Sequence, residues 1–223
     1  MKKTVFATTL LIAMALGFGA EAQSLLDMNA PLVGKEAGTF MIRARAIGVL
    51  PEDNSSSVSA IGGHVSATNQ AAPELDFSYF LTDNIALELI AATTRHDVKA
   101  TGTAVGNVDV GSVWVLPPTL TLQYHFLPHS AVSPYVGAGV NVSFWYGESA
   151  ANPPVTHFSV GNGIAPALQA GVDYNFAGHW FFNVDVKQIF LNINAHVDAL
   201  GTTVKAHDSL DPLVVGMGIG YRF

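Results

Sequence analysis

The chain has no cysteine, few charged residues and no long apolar run beyond its N-terminus. Because none of its 223 residues is cysteine, the fold must be held together without the disulfides that many exported domains use. Charged residues make up only 12%, roughly half of what a soluble domain carries. The net charge of −7 argues against nucleic acid as a partner. After the N-terminus, no continuous apolar stretch reaches the roughly 20 residues of a membrane-spanning helix.

The first residues form a targeting segment. Lys2 and Lys3 precede an apolar run that ends at Phe18, and Ala20-Glu21-Ala22 has the small-x-small pattern of a cleavage site. The apolar run is too short to cross a bilayer as a helix. The expected divisions of the chain are a cleaved Sec signal peptide at 1–22, a periplasmic N-terminal segment at 23–38 and the folded domain at 39–223.

The folded domain has eight strand-like stretches joined by alternately long and short connections. The stretches are 39–50, 73–81, 85–95, 113–126, 134–146, 164–176, 180–194 and 210–223. Long loops at one end and short turns at the other are typical of outer-membrane barrels. A soluble β-sandwich has no reason to place every long loop at one end. The sequence therefore predicts an all-β, eight-stranded antiparallel up-and-down transmembrane β-barrel of the bacterial outer membrane.

The two faces of each stretch differ in the way that a membrane barrel requires. In the last stretch every odd position from Leu213 to Phe223 is a large apolar residue, whereas the even positions include Gly216, Gly218 and Gly220. The apolar row is expected to face lipid, and the glycines are expected to leave room inside a narrow barrel for bulkier neighbours. In the seventh stretch the apolar residues change from even to odd positions after Lys187, which predicts a bulge near Gln188.

Charged residues concentrate on the inward face of the predicted strands. Four are basic and five are acidic: Arg43, Arg45, Lys187 and Arg222; Glu74, Asp76, Glu88, Asp173 and Asp185. Charges in a closed lumen are costly unless they are paired, so the pattern predicts ladders of salt bridges. A structural network that plugs the periplasmic half is the favoured interpretation, and a role in selectivity or gating is the alternative.

The remaining motifs give little indication of a metal site or an active site. Eight histidines show no metal-ligand spacing, and no paired-carboxylate or nucleophile arrangement stands out, so we expect no metal, no cofactor and no enzymatic activity. Pro117-Pro118 lies inside the fourth stretch, where proline cannot donate a ladder hydrogen bond. The pair either ends strand pairing near the rim or weakens the wall enough for a lateral opening.

Several segments together resemble the outer membrane protein W family. They are GTFMIRARAIGVLPED, ELDFSYFLTDNIALELIAATTRHDV, VWVLPPTLTLQYHF, SPYVGAGVNVSFWY, LQAGVDY and LDPLVVGMGIGYRF. The resemblance implies an outer-membrane location in a Gram-negative bacterium, with lipids and lipopolysaccharide around the barrel. It also implies that Phe223 is the terminal aromatic residue read by the outer-membrane assembly machinery. An apolar constriction of the family matches Ile90, and its partner on the seventh strand, aromatic in some members, aligns with Lys187.

The family is associated with passive uptake of small hydrophobic molecules, which enter an extracellular funnel and leave sideways into the membrane. On that basis Ile90, Leu50, Trp114 and Trp145 are the expected apolar lumen or rim residues. The expected charged floor consists of Arg43, Arg45, Glu88, Asp173, Asp185 and Lys187. The alternative is a structural or receptor barrel, adhesive or bacteriocin-binding, without transport.

Overall fold

The computed structural model describes residues 31–52, 55–58, 62–151, 155–199 and 202–223. The predicted signal peptide lies outside these residues. None of the described residues belongs to a helix that is long and apolar enough to cross a membrane. The described strands are β1 Phe40–Leu50, β2 Ser55–Val58, β3 His64–Ala67, β4 Gln70–Phe80, β5 Ile85–Ala92, β6 Thr94–Thr103, β7 Gly106–Leu116, β8 Thr119–His125, β9 Val132–Ala150, β10 Val155–Val160, β11 Gly163–Ala177, β12 Trp180–Ile189, β13 Asn192–Ala199, β14 Thr202–Ser209 and β15 Leu213–Arg222.

Eight of these strands close into a barrel. They pair antiparallel in the order β11, β12, β15, β1, β4, β5, β8 and β9, and β9 returns to pair with β11. The first and last wall strands meet over their whole length, from Met41 opposite Arg222 to Leu50 opposite Leu213. Since every wall strand has two neighbours, the barrel presents no free edge. The predicted fold class is confirmed, and each of the eight predicted stretches overlaps one wall strand.

The connections predicted as long loops are largely strands. Residues 96–112 and 195–209 contribute most of β6, β7, β13 and β14. Together with neighbouring segments they form two sheets that extend the barrel wall, in the orders β3-β6-β7-β9 and β10-β13-β14-β2. On β6 the charged residues Arg95, Asp97 and Lys99 face outward, and the residues between them, His96 and Val98, face inward. An outer face of this kind meets water, so these extensions rise above the membrane on the side of the long connections.

The wall strands keep the predicted alternation of faces. Outward apolar residues such as Leu120, Val184 and Met217 are about half exposed or more, and the intervening inward residues are buried. The predicted bulge near Gln188 is wrong, because β12 pairs with β15 without a register shift from Trp180 to Gln188. The inward row instead changes chemistry from polar to apolar as it passes from Lys187 to Ile189.

Two glycines of β15 lie where any side chain would collide with a neighbouring strand. A side chain at Gly220 would collide with the ring of Phe181 on β12, which agrees with the expectation that inward glycines make room for bulky neighbours. A side chain at Gly218 would instead collide with the backbone carbonyl oxygen of Ala44 on β1. At Gly218 the glycine therefore permits close packing of the barrel wall itself.

Candidate functional site: an apolar funnel above a charged floor

The floor of the lumen is built around two arginines on β1. Arg43 and Arg45 are two residues apart and therefore point to the same inward face, where the ladder with β4 places Asp76 and Glu74 beside them. Arg45 contacts Glu74 at 2.5 Å, Asp76 at 2.8 Å and, across the lumen, Asp185 at 3.2 Å. One guanidinium thus holds three carboxylates from two sides of the barrel.

Arg43 links a second pair of carboxylates. It contacts Glu88 on β5 at 2.8 Å and Asp173 on β11 at 3.1 Å, and it also donates a hydrogen bond to Ser78. Its guanidinium carbon lies 5.5 Å from the ring centre of Phe181. These side chains are fully buried, so the ion pairs cross a lumen that is filled rather than open.

Neutral polar side chains complete the network between these charges. Gln169 donates to Glu88 and to Asp185 at 2.8 Å each. The hydroxyl of Tyr135 donates to the same Asp185 at 2.8 Å, and Asn183 donates to Asp173 at 2.8 Å. Buried carboxylates are tolerated only when their oxygens are paired in this way.

Lys35 is a floor residue that the sequence analysis missed. It lies in the N-terminal segment rather than on a strand, yet its side chain is fully buried and its ammonium contacts Asp173, Ser133 and His125 at 2.7–2.8 Å. The segment is anchored by the backbone bond from Lys35 to Pro128 beside a short turn. Burial lowers the pKa of Lys35 from 10.5 to about 8, although Asp173 acts in the opposite direction. Part of the segment predicted to lie in the periplasm therefore enters the lumen from below.

Above the floor, the inward face becomes apolar. A cavity of about 50 Å³ is lined by Ile47, Val49, Ile90, Val115, Trp145, Ile189, Leu191, Leu210 and Val214, with Glu74, Thr94, His96, Asn141, Ser143 and Lys187 among its polar lining residues. A second cavity of about 30 Å³ shares His96, Trp145 and Leu210 with it and continues into the extracellular sheets. Apart from His96, the residues around the second cavity are apolar. We call the two cavities together the funnel.

The structure places the predicted apolar residues in two different environments. Ile90 is buried and lines the lower cavity, and Trp145 lines both cavities. Leu50 has the same strand parity as the outward Ala46 and Gly48, and its neighbour Val49 lines the lumen instead. Trp114 stacks on Tyr146 at 6.3 Å on the outer face, because Val113 and Val115 take the inward positions. The lumen placement predicted for Leu50 and Trp114 is therefore corrected.

The predicted charged residues, by contrast, all meet in the floor. Arg43, Arg45, Glu88, Asp173, Asp185 and Lys187 are all buried. Lys187 lies at the top of this group, where it lines the lower cavity and approaches Glu88 only to 4.0 Å. The floor and the funnel thus meet at Lys187 and Ile90.

Pro117 and Pro118 interrupt the wall beside the lower cavity. They fall between β7 and β8, and Pro117 itself lines the cavity. On the β9 side the interruption is bridged, since Val142 donates to the carbonyl of Pro118 at 2.9 Å. On the other side, the ladders within the described strands stop at Ile90 with Thr119 and resume at Thr94 with Val115. Beside the lower cavity, the described strands therefore leave a seam without ladder pairing between Ala91–Thr93 and Leu116–Pro118, which the Thr93 hydroxyl crosses by donating to the carbonyl of Val115 at 3.1 Å.

Comparison with known proteins gives the same architecture and identifies the family. Residues 36–223 match the OmpW family. This chain belongs to the OmpW family. An uncharacterised outer-membrane protein y4mB of Sinorhizobium fredii is 43% identical over 95% of this chain and 94% of its own length. Outer membrane protein W of Escherichia coli is 35% identical over 84% of this chain and 90% of its own.

Two further relatives of this OmpW-family chain are informative. The dibenzothiophene metabolism operon protein PahQ of Pseudomonas aeruginosa is 32% identical over 73% of this chain and 76% of its own length. The crystal structure of the outer membrane protein OprG from the same species superposes with a TM-score of 0.79 at 29% identity, covering 86% of this chain and 99% of that one. The chain is therefore an outer-membrane protein, as predicted.

The outer surface of this OmpW-family barrel is suited to lipid. An indentation of about 830 Å³ on the wall is lined mainly by outward apolar residues such as Val136, Val172, Val184 and Met217. In a membrane, acyl chains fill such an indentation, so it is not a site inside the lumen. At the periplasmic end the ring of Phe223 lies 4.9 Å from that of Tyr221, in an aromatic belt. A role for Phe223 in assembly stays a prediction.

Proposed function

We propose that this barrel is a passive route by which small hydrophobic molecules cross the outer membrane. The observation that carries the proposal is the abrupt change in the inward face, from the apolar funnel to a floor of buried charges. An apolar solute entering the funnel gains roughly 25 cal/mol per Å² of surface removed from water. It would lose this gain on meeting the charged floor, where it would separate ion pairs.

A solute stopped at the floor lies beside a part of the barrel wall that has little backbone pairing. The seam between Ala91–Thr93 and Leu116–Pro118 borders the lower cavity and lacks ladder pairing. Opening it would require few backbone hydrogen bonds to be broken, because prolines donate none. We therefore propose that the solute leaves sideways through this seam into the outer leaflet. The operon named for the relative PahQ, dibenzothiophene metabolism, is consistent with an apolar aromatic solute.

Uptake of radiolabelled octane by cells that lack the protein tests the route. Cells carrying the wild-type barrel should accumulate the probe faster than cells without it. Ile90→Arg should reduce uptake to the background level, because it places a charge in the narrow part of the funnel. Val105→Arg adds the same charge at an exposed extracellular turn and serves as the matched control.

A second variant addresses the sideways exit. Replacing Pro117 and Pro118 together by valine restores two backbone donors to the seam, and uptake should fall while the barrel stays folded. Wild-type uptake by Ile90→Arg would contradict the funnel, and wild-type uptake by the double variant would contradict the exit. If the wild-type barrel itself gave no gain, a structural or receptor role for the extracellular sheets would replace transport.

A further inference from the structure

Lys187 occupies an unusual position at the bottom of the funnel. Its side chain is buried to about 99%, and its ammonium has no hydrogen-bond partner among the described residues. The nearest carboxylate oxygen, Oε1 of Glu88, is 4.0 Å away and already accepts a hydrogen bond from Gln169 at 2.8 Å. A buried ammonium with three unused donors is costly, so its position calls for a partner.

A second unused donor lines the same cavity. The indole N–H of Trp145 is buried and also lacks a hydrogen-bond partner in the described part of the chain. The other polar residues around the lower cavity have partners: Asn141 bonds to Thr119, Ser143 to Asn141, Thr94 to His96, and Glu74 to Arg45. Within the described part of the chain, the two unmatched polar atoms of this cavity are both donors, so a ligand that complements them must bring acceptors.

From this arrangement we infer that the funnel selects amphipathic carboxylates, such as medium-chain fatty acids, over neutral molecules of the same size. The carboxylate group would accept hydrogen bonds from Lys187, and the hydrocarbon chain would extend past Ile90 and Trp145 into the apolar upper cavity. Hydrogen bonds between an ammonium and a carboxylate are stronger than those to a neutral acceptor. This inference rests on the proposed uptake function and specifies its substrate class.

Trp145 offers a direct readout of binding. The chain has three tryptophans, Trp114, Trp145 and Trp180, and only Trp145 lines the funnel. In a variant with Trp114→Phe and Trp180→Phe, fluorescence therefore reports on this site alone. The barrel would be reconstituted in phosphatidylcholine vesicles at pH 8, with protein-free vesicles to correct for partitioning into lipid. The probes would be octanoate and 1-octanol, which share a chain length and differ in the head group.

The inferred selectivity predicts that octanoate binds at least about tenfold more tightly than 1-octanol. Lys187→Met keeps the length of the side chain but removes the charge, and it should abolish the preference. Lys187→Arg should retain it. Lys99→Met is the matched control, because Lys99 is exposed on an extracellular strand and pairs with Asp109 at 3.3 Å. Glu88 keeps its contacts to Arg43 and Gln169 in all these variants, so the floor should remain intact.

The outcomes separate this inference from the function on which it rests. Equal affinity for the two probes in the single-tryptophan barrel that keeps Lys187, or a preference that survives Lys187→Met, would overturn carboxylate selection. The uptake function would still stand if octane entered cells through the barrel and Ile90→Arg prevented it. Failure of both probes to change Trp145 fluorescence, together with no uptake of octane, would refute both. The comparison of the two probes in the single-tryptophan barrel that keeps Lys187 does not depend on whether a variant at position 187 folds.

Discussion

Replacing Arg45 by methionine is the sharpest test of how the charged floor contributes to stability. Arg45 contacts Glu74, Asp76 and Asp185, and the side chains on both sides of these ion pairs are at most 3% exposed. The substitution leaves three buried carboxylates without their shared cation. Removing one partner of a buried pair typically costs about 3–5 kcal/mol. We therefore expect Arg45→Met to lower the free energy of unfolding by at least that amount.

Urea unfolding in lipid vesicles, followed by tryptophan fluorescence, measures the loss. Arg95→Met is the matched control, because the Arg95–Asp97 pair at 3.3 Å is half exposed on the extracellular strand β6 and should contribute less than about 1 kcal/mol. A double variant, Arg45→Met with Glu74→Gln, should recover part of the loss by removing one of the unpaired charges. The reasoning fails if Arg45→Met is no more destabilising than Arg95→Met.

Two further predictions concern other parts of the lumen. Gly218→Ala should destabilise the barrel by about 1–3 kcal/mol in the same assay, because the added methyl group would collide with the carbonyl oxygen of Ala44. Gly48→Ala is the matched control and should be nearly neutral, because its methyl group would lie 3.5 Å from a methyl group of Val215. Equal losses of stability in the two variants would contradict this account. Burial lowers the pKa of Lys35 from 10.5 to about 8 in the folded barrel. Between these two pH values the unfolded chain binds more protons than the folded barrel, so the free energy of unfolding should rise with pH. The rise should be absent from Lys35→Met in parallel unfolding curves, and identical pH profiles would refute the assigned burial of the lysine.

Strand parity predicted the barrel and its charged floor because both follow from the two-residue period of a strand. Arg43 and Arg45 on β1, or Asp173 on β11, needed only this period to be placed inside. The same rule places Leu50 outside, since it lies an odd number of residues from Arg45. Its assignment to the apolar lumen or rim followed from the funnel that the family resemblance implies and from its apolar character, neither of which specifies a face of the strand.

The extracellular strands were harder to predict than the membrane strands. In the membrane, lipid requires large apolar residues outside, so the alternation is strong. Above the membrane, water replaces lipid, and β6 alternates charged residues such as Asp97 and Lys99 with small ones such as Val98 and Ala100. This weaker contrast resembles a polar loop. The funnel formed by these strands therefore depends on contacts between distant segments that no local pattern reveals.

Lys35 was missed for a different reason, although the charge count contained a signal for it. The inward strand positions supply four basic and five acidic side chains, and a closed lumen disfavours the one unbalanced negative charge. With Lys35, the buried ionic groups number five of each sign within the described residues. The imbalance therefore indicated that a cation would enter from outside the strands. The N-terminal segment supplies this cation at Asp173. Among the described residues the ammonium of Lys187 has no hydrogen-bond partner, and Lys187 lines the lower cavity, so it is the floor cation best placed to meet a solute from above.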